Sequence, residues 1–249
     1  MSGQAAALLL PQDALGNALS LLSGIFRFIT DPGGFLFDAV KWLGDAWGQL
    51  NLPGGVATVR DVVAALTSNR EPPKPVFAST PALACYPESR EGSDYSRTDI
   101  VRLAQFLRGE FSFVVIDLSN RLPDPMAGPE AAVAAFWLEQ ADCLVLPTAS
   151  SKQDFNGALD YLELRDLPPA IVAYIAPTSK RTREHPLTKR YLAAIAQRAQ
   201  CVVSLPDEAD RVRYAGMQGI PVQQVSSALG HAYRALVQAV ATTPAHRGS

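Results

Sequence analysis

The run Phe113-Val114-Val115-Ile116-Asp117 places a carboxylate at the end of an apolar stretch. Such a stretch reads as a strand buried on both faces, and in an open α/β sheet ligands bind beyond the carboxyl ends of the strands. A carboxylate delivered there is suited to hold Mg²⁺, directly or through water, beside a nucleotide phosphate. Asp117 is therefore a candidate metal and cofactor residue, although hydrophobic strands that end in Asp also occur as plain structure. Two further strand-like runs end in proline, Cys143-Leu144-Val145-Leu146-Pro147-Thr148 and Val203-Ser204-Leu205-Pro206-Asp207. Their plainer reading is that proline stops the strand. The one concentrated basic segment is Lys180-Arg181-Thr182-Arg183-Glu184-His185 with Lys189-Arg190 behind it. It reads as a solvated loop, with contact to DNA or an acidic partner as the sharper alternative.

Other chemistries find little support. His185, His231 and His246 lie far apart and share no metal-ligand spacing. There is no G-x-S-x-G elbow, and Ser150-Ser151 reads as a loop or cap. Cys85, Cys143 and Cys201 show no C-x-x-C spacing and read as buried free thiols in a reducing compartment. A formal charge of −2 and a pI near 5.9 give no global pull toward nucleic acid.

These residues need elements to position them. The length of 249 residues suits one doubly wound domain with extensions, and 48% hydrophobic against 18% charged residues describes a folded chain. The pattern predicts helices over 13–22 and 35–50 around a strand at 25–29, then a break at Asn51-Leu52-Pro53-Gly54-Gly55. A helix over 58–66 and a proline-rich connector follow, with a short strand at 83–86 and a helix over 98–108. From there strands at 111–118, 143–146, 170–175 and 201–205 alternate with helices at 130–140, 156–164, 187–198 and 228–240. That alternation predicts parallel βαβ units.

Taken in order, the motifs resemble those of the ParA/MinD group of P-loop ATPases. A strand ending in Asp117 is followed by Ala141-Asp142-Cys143-Leu144-Val145-Leu146-Pro147-Thr148, similar to that family's AD-x-x-L-V-P-T strand. The end at Pro206-Asp207 precedes Ala215 to Val222, similar to A-x-x-x-G-x-P-V. The resemblance spans roughly 56–240 and implies a P-loop NTPase-like α/β fold, a doubly wound, mostly parallel sheet with helices on both faces. It implies ATP and Mg²⁺ as cofactors, Pro206 and Asp207 at the rim of an adenine site, and a homodimer. Thr30-Asp31-Pro32-Gly33-Gly34 looks like the family's D-x-D-P-x-G segment, which makes Asp31 a second Mg²⁺-side carboxylate beside Asp117. It also makes Lys180, Arg181, Arg183, Lys189 and Arg190 candidates for DNA contact without sequence preference.

The chain departs from the family at its phosphate loop. No glycine is followed by lysine anywhere, and all five lysines lie outside glycine loops. ATP binding and hydrolysis are therefore expected to be degenerate or partner-dependent, as in the TadZ/CpaE type of pilus-assembly relative, which is the candidate subgroup. The expected function is that of a ParA/MinD-like partitioning or positioning protein. The alternative is a non-catalytic interaction module of a conjugation, secretion or pilus-assembly system. Three segments are expected: a divergent apolar one at 1–55, the α/β domain at 56–241 and a disordered tail at 242–249. The expected location is cytoplasmic or peripheral to the inner membrane, since Trp42, Trp47 and the phenylalanines of residues 1–50 suit contact with a membrane or partner helix.

Overall fold

The structure is a computed structural model that describes residues 6–9, 55–77, 84–87, 95–111, 114–118, 126, 128–218, 220 and 222–244. The helices and strand expected between residues 13 and 50 lie outside the described residues, as do residues 245–249 of the tail expected at 242–249, whose first residue, Thr242, still belongs to the last helix.

Two helix starts are written locally in the sequence. In α1 (Val59–Thr67) the Thr58 hydroxyl accepts from the Asp61 amide while the Asp61 carboxylate accepts from the Thr58 amide, closing a capping box. In α2 (Arg97–Glu110) Ser96 and Asp99 do the same. Between them β2 (Val76–Phe77) and β3 (Ala84–Cys85) form a small antiparallel pair. The exit from β3 is stapled twice, by Tyr86 Oη donating to the Pro73 carbonyl at 2.8 Å and by the Val59 amide donating to the Pro87 carbonyl at 3.0 Å.

The main sheet holds β1 (Ala6–Leu9), β4 (Val114–Asp117), β5 (Cys143–Thr148), β6 (Ala170–Ala176) and β7 (Cys201–Pro206) in the order β4-β1-β5-β6-β7. Strands β5, β6 and β7 are mutually parallel. They are joined by α4 (Lys152–Leu162) and by α5 (Lys180–Arg183) with α6 (Pro186–Ala196). Helix α3 (Pro129–Gln140) precedes β5, while α7 (Ala209–Gln218) and α8 (Ser227–Thr242) close the domain.

Alternation along the strands sorts the core into two layers. Leu144, Leu146, Ala170, Val172 and Tyr174 face a cluster built with α1, α2, α3, α4 and α6. Cys143, Val145, Ile171, Ala173 and Leu205 face the opposite cluster, built with α7 and α8. The chain is thus an α/β protein with a mostly parallel sheet covered by helices on both faces, as its alternation predicted. Among the described residues no helix is long and apolar enough to cross a membrane.

Several local readings are corrected. Ala6–Leu9, read only as part of an apolar segment, is a strand antiparallel to both β4 and β5, with Ala6 opposite Asp117 on one side and Val145 on the other. Lys180–Arg183 is a helical turn capped by Ser179 and not a loop. Helix α4 starts at Lys152, earlier than expected, because the Ser151 hydroxyl caps it by accepting from the Asp154 amide.

Pro147 lies inside β5, opposite Ala173 of β6, and does not end it. The Leu144 amide donates to the Pro169 carbonyl, so even-numbered residues of β5 face β6 and odd-numbered ones face β1. The pairing of β1 reaches only Val145 on that side. The missing N–H of Pro147 therefore points where the described part of β1 offers no acceptor.

Candidate functional site at the carboxyl edge

The parallel strands and β4 deliver Asp117, Thr148, Ala176 and Pro206 as their last residues. These ends are staggered. Through Ala6, Asp117 stands level with Val145, which is level with Ile171 and Cys201. Pro206 lies five residues further along and four strands across. At ~4.8 Å per strand and ~3.3 Å per residue this separates the two backbone positions by about 19 Å across the sheet and roughly 16 Å along it. The fold puts Asp117 and Pro206-Asp207 on the same sheet without bringing them together. Asp31 lies outside the described residues.

The rim is best formed over β5 and β6. Thr148 and Tyr174 are register partners whose alternation puts both on the α4 side of the sheet. Tyr174 Oη shares a 2.7 Å hydrogen bond with Ser150 Oγ, and its ring stacks at 6.0 Å on Phe155, which stacks in turn at 5.0 Å on Tyr191 of α6. This aromatic pile sets where the turn into α4 leaves the sheet. Thr148 Oγ1 is buried and finds no hydrogen-bond partner among the described residues. An orphan hydroxyl at a sheet edge of this kind costs free energy, so it marks a place where the sequence is not optimised for stability.

The basic segment begins just past the carboxyl end of β6. Arg183 Nη1 donates to the Pro177 and Thr178 carbonyls at 3.3 Å each, tying the turn down, and Lys180 Nζ stands 3.7 Å from Glu184. Arg181, Lys189 and Arg190 are exposed. Thr188 and Ile195 turn inward on α6, which leaves Lys189 and Arg190 on its outer side. On the far side, the Asp207 amide donates to the Ala176 carbonyl at 3.1 Å, and Glu208 stands 3.5 Å from Arg211.

Asp142, the acid of the Ala141-Asp142 motif, has a different place. It sits at the amino end of β5, 8% exposed, 3.3 Å from an Arg108 guanidinium that also donates to the Gln140 carbonyl. It ties α2 to the start of β5, a positioning role at the end of the sheet opposite the rim. The two described thiols are unsuited to nucleophilic work: burial pushes Cys143 up to about 12 and raises Cys201.

A bound Mg-ATP makes specific demands on such an edge. A phosphate loop follows its strand and cradles phosphates with backbone N–H groups at the carboxyl edge of a parallel sheet. Strand β1 is antiparallel to its neighbours, so the chain leaves it at the amino edge, by Val114 and away from Asp117. The sequence has no Gly-Lys pair to supply the cradle. Among the described residues no group of three or more His, Cys, Asp or Glu side chains is placed to hold a metal ion. The described residues do not fit the cofactor.

Sequence reasoning missed Tyr174, Phe155 and Tyr191. A period-two reading of Ala170 to Ala176 beside Cys143 to Thr148 contained the Thr148–Tyr174 pairing, but the ring stack spans two helices and a strand and leaves no local signal.

No protein-family model matches the chain, and no curated protein matches it. Among solved structures it is similar to a ParA family ATPase from Chlorobium tepidum TLS, at 14% identity over 90% of this chain and 93% of that one, with a TM-score of 0.48. A likeness at that score carries no functional argument for this chain.

Proposed function

We propose that the chain is a ParA/MinD-like positioning protein that works by association, with ATP binding and hydrolysis degenerate or dependent on a partner. The ordered strand-end motifs support the family reading. The single observation that carries the loss of catalysis is the reversed β1 in a chain without a Gly-Lys pair. Phosphoryl transfer is almost entirely positioning and charge stabilisation, and both need the missing cradle. Asp117 and Asp31 are the carboxylates left to meet Mg²⁺, and Pro206 and Asp207 the residues left to border a base. The exposed cations Lys180, Arg181, Arg183, Lys189 and Arg190 suit a polyanion such as DNA, bound through its phosphates without reading sequence. A homodimer, a protein partner of a partition, conjugation or pilus system, and peripheral membrane contact through residues 1–50 belong to the same reading.

Isothermal titration with Mg-ATP tests it. The expected result is no heat at millimolar ATP and no difference between wild type and Asp117→Ala. Micromolar binding that Asp117→Ala abolishes would show a working nucleotide site and sink the non-catalytic part of the proposal. For the basic surface, Lys189→Ala with Arg190→Ala should weaken duplex binding equally across sequences and lower the salt slope by about one for each phosphate that is no longer neutralised.

A further inference from the structure

His185 ends the basic segment and begins α6. Its Nδ1 accepts from the Leu187 amide at 3.2 Å, so the imidazole is the N-cap of that helix. A backbone amide can only donate, so Nδ1 carries no proton and the ring is neutral, with its hydrogen on Nε2. An imidazolium has a donor at both nitrogens and cannot make this bond. The other side-chain caps, on α1, α2, α4, α5 and α8, are Ser or Thr hydroxyls, which keep their acceptor across the physiological pH range. The first turn of α6 holds no acid to stand in for the ring. Histidine is the side chain whose charge ordinarily changes between about pH 5 and 8, which makes this the cap that acidification can remove.

The charged groups around this cap are mostly cations. Lys180, Arg181, Arg183 and Glu184 precede it, with Lys180 3.7 Å from Glu184, and Lys189 and Arg190 follow on α6. Helix α6 packs on α4 and β7. From α4, Lys152 and Asp154 lie in the turn that neighbours α6 through the Phe155–Tyr191 stack, while Asp160 and Tyr161 stand at the other end. Strand β7 brings no charge, and its Cys201 lies at the amino end of the sheet. Arg198 and Glu163 pair beyond the far end of α6, about 20 Å away at ~1.5 Å per helical residue. We propose that His185 is a proton-operated joint of the basic surface: neutral, it caps α6, and on taking a proton from solvent at Nδ1 it releases the Leu187 amide and adds a positive charge to that surface. A bound polyanion relieves the mutual repulsion of these cations, so binding and protonation favour each other by the same factor. The cap is therefore present on the alkaline side and lost as pH falls, while affinity for a polyanion rises as pH falls. The affinity half rests on the DNA reading above; the cap itself does not.

Two variants of the full chain hold the joint in its two states. His185→Asn keeps a capping oxygen that takes no proton, and His185→Lys carries a fixed charge and no acceptor. Urea unfolding without DNA reads the cap, each comparison being made at a single pH so that every other titrating group cancels. Wild type should match His185→Asn at pH 8 and fall below it at pH 5.5 by about 0.3–1 M in midpoint, to the level of His185→Lys. Equal midpoints for wild type and His185→Asn at pH 5.5 would overturn the proposal. Fluorescence anisotropy with a mixed-sequence duplex then reads the surface. Wild type should bind more tightly at pH 5.5 than at pH 8, with a salt slope steeper by about 0.9 for one further phosphate contact. His185→Asn should show no such gain, and His185→Lys should bind tightly at both values. A gain of equal size in His185→Asn would assign it to His231 or His246 and overturn the affinity half. Absence of duplex binding at either pH would overturn that half together with the DNA reading, and the urea comparison tells this failure from a failure of the cap.

Discussion

Replacing Thr148 by valine should stabilise the protein. The hydroxyl is buried, 2% of the residue is exposed, and Oγ1 has no partner among the described residues. Leaving such a group unmatched costs about 1–3 kcal/mol, and exchanging it for a methyl adds up to about 0.8 kcal/mol of apolar burial. Valine keeps the branched shape that a strand position favours. The expected gain is about 1–3 kcal/mol, which for a chain of this size is a rise in Tm of roughly 2–12 °C. Urea unfolding followed by circular dichroism checks it, with the midpoint rising at constant m. Comparable cost is stored in strained or orphaned groups where sites are built, so a ligand that meets this rim should stabilise wild type more than Thr148→Val. A destabilisation of about 1 kcal/mol or more, on the same mutational scale, would refute the reasoning, because it would mean that the hydroxyl is already satisfied.

The glycines of two helices should respond with opposite signs. A Cβ at Gly157 in α4 meets nothing within 4 Å, so Gly157→Ala should gain about 0.5–1 kcal/mol from helix propensity. A Cβ at Gly230 in α8 would lie 3.0 Å from Gln223 Cβ, so Gly230→Ala should lose about 1 kcal/mol once crowding is set against the same propensity gain, both read from urea midpoints. The backbone N–H and then the hydroxyl of Thr58 hold the Asp61 carboxyl below its ordinary value. A depressed folded value means that this cap is fully present above about pH 4 and is lost as pH falls through the folded value; Asp61→Asn should flatten that acid limb of the stability profile.

Much of the domain was legible because its signals are local. Val172 and Leu144 sit in uninterrupted apolar runs, which only strands covered on both faces tolerate, and Thr58 with Asp61 announces a helix start within four residues. The carboxyl edge was legible as a location, since Asp117, Thr148 and Pro206 all end such runs. What the sequence hid depends on partners distant along the chain. Ala6 to Leu9 reads as apolar filler until β4 and β5 are placed on either side of it. The stagger that separates Asp117 from Pro206 is a sum of registers that no single strand encodes. Pro147 looked like a stop because its consequence depends on which side of the strand its nitrogen faces.

The reversed β1 also dictates an order of assembly. It lies between β4 and β5, so those strands do not bond to each other, and among the described residues the sheet without it is a three-stranded unit plus a lone strand. Both partners of β1 lie more than a hundred residues away, and closing a loop of that length costs about 4 kcal/mol of chain entropy before any pair forms. Synthesised well before either neighbour, this strand must wait for the middle of the chain, and its docking is the event that joins the two parts of the sheet.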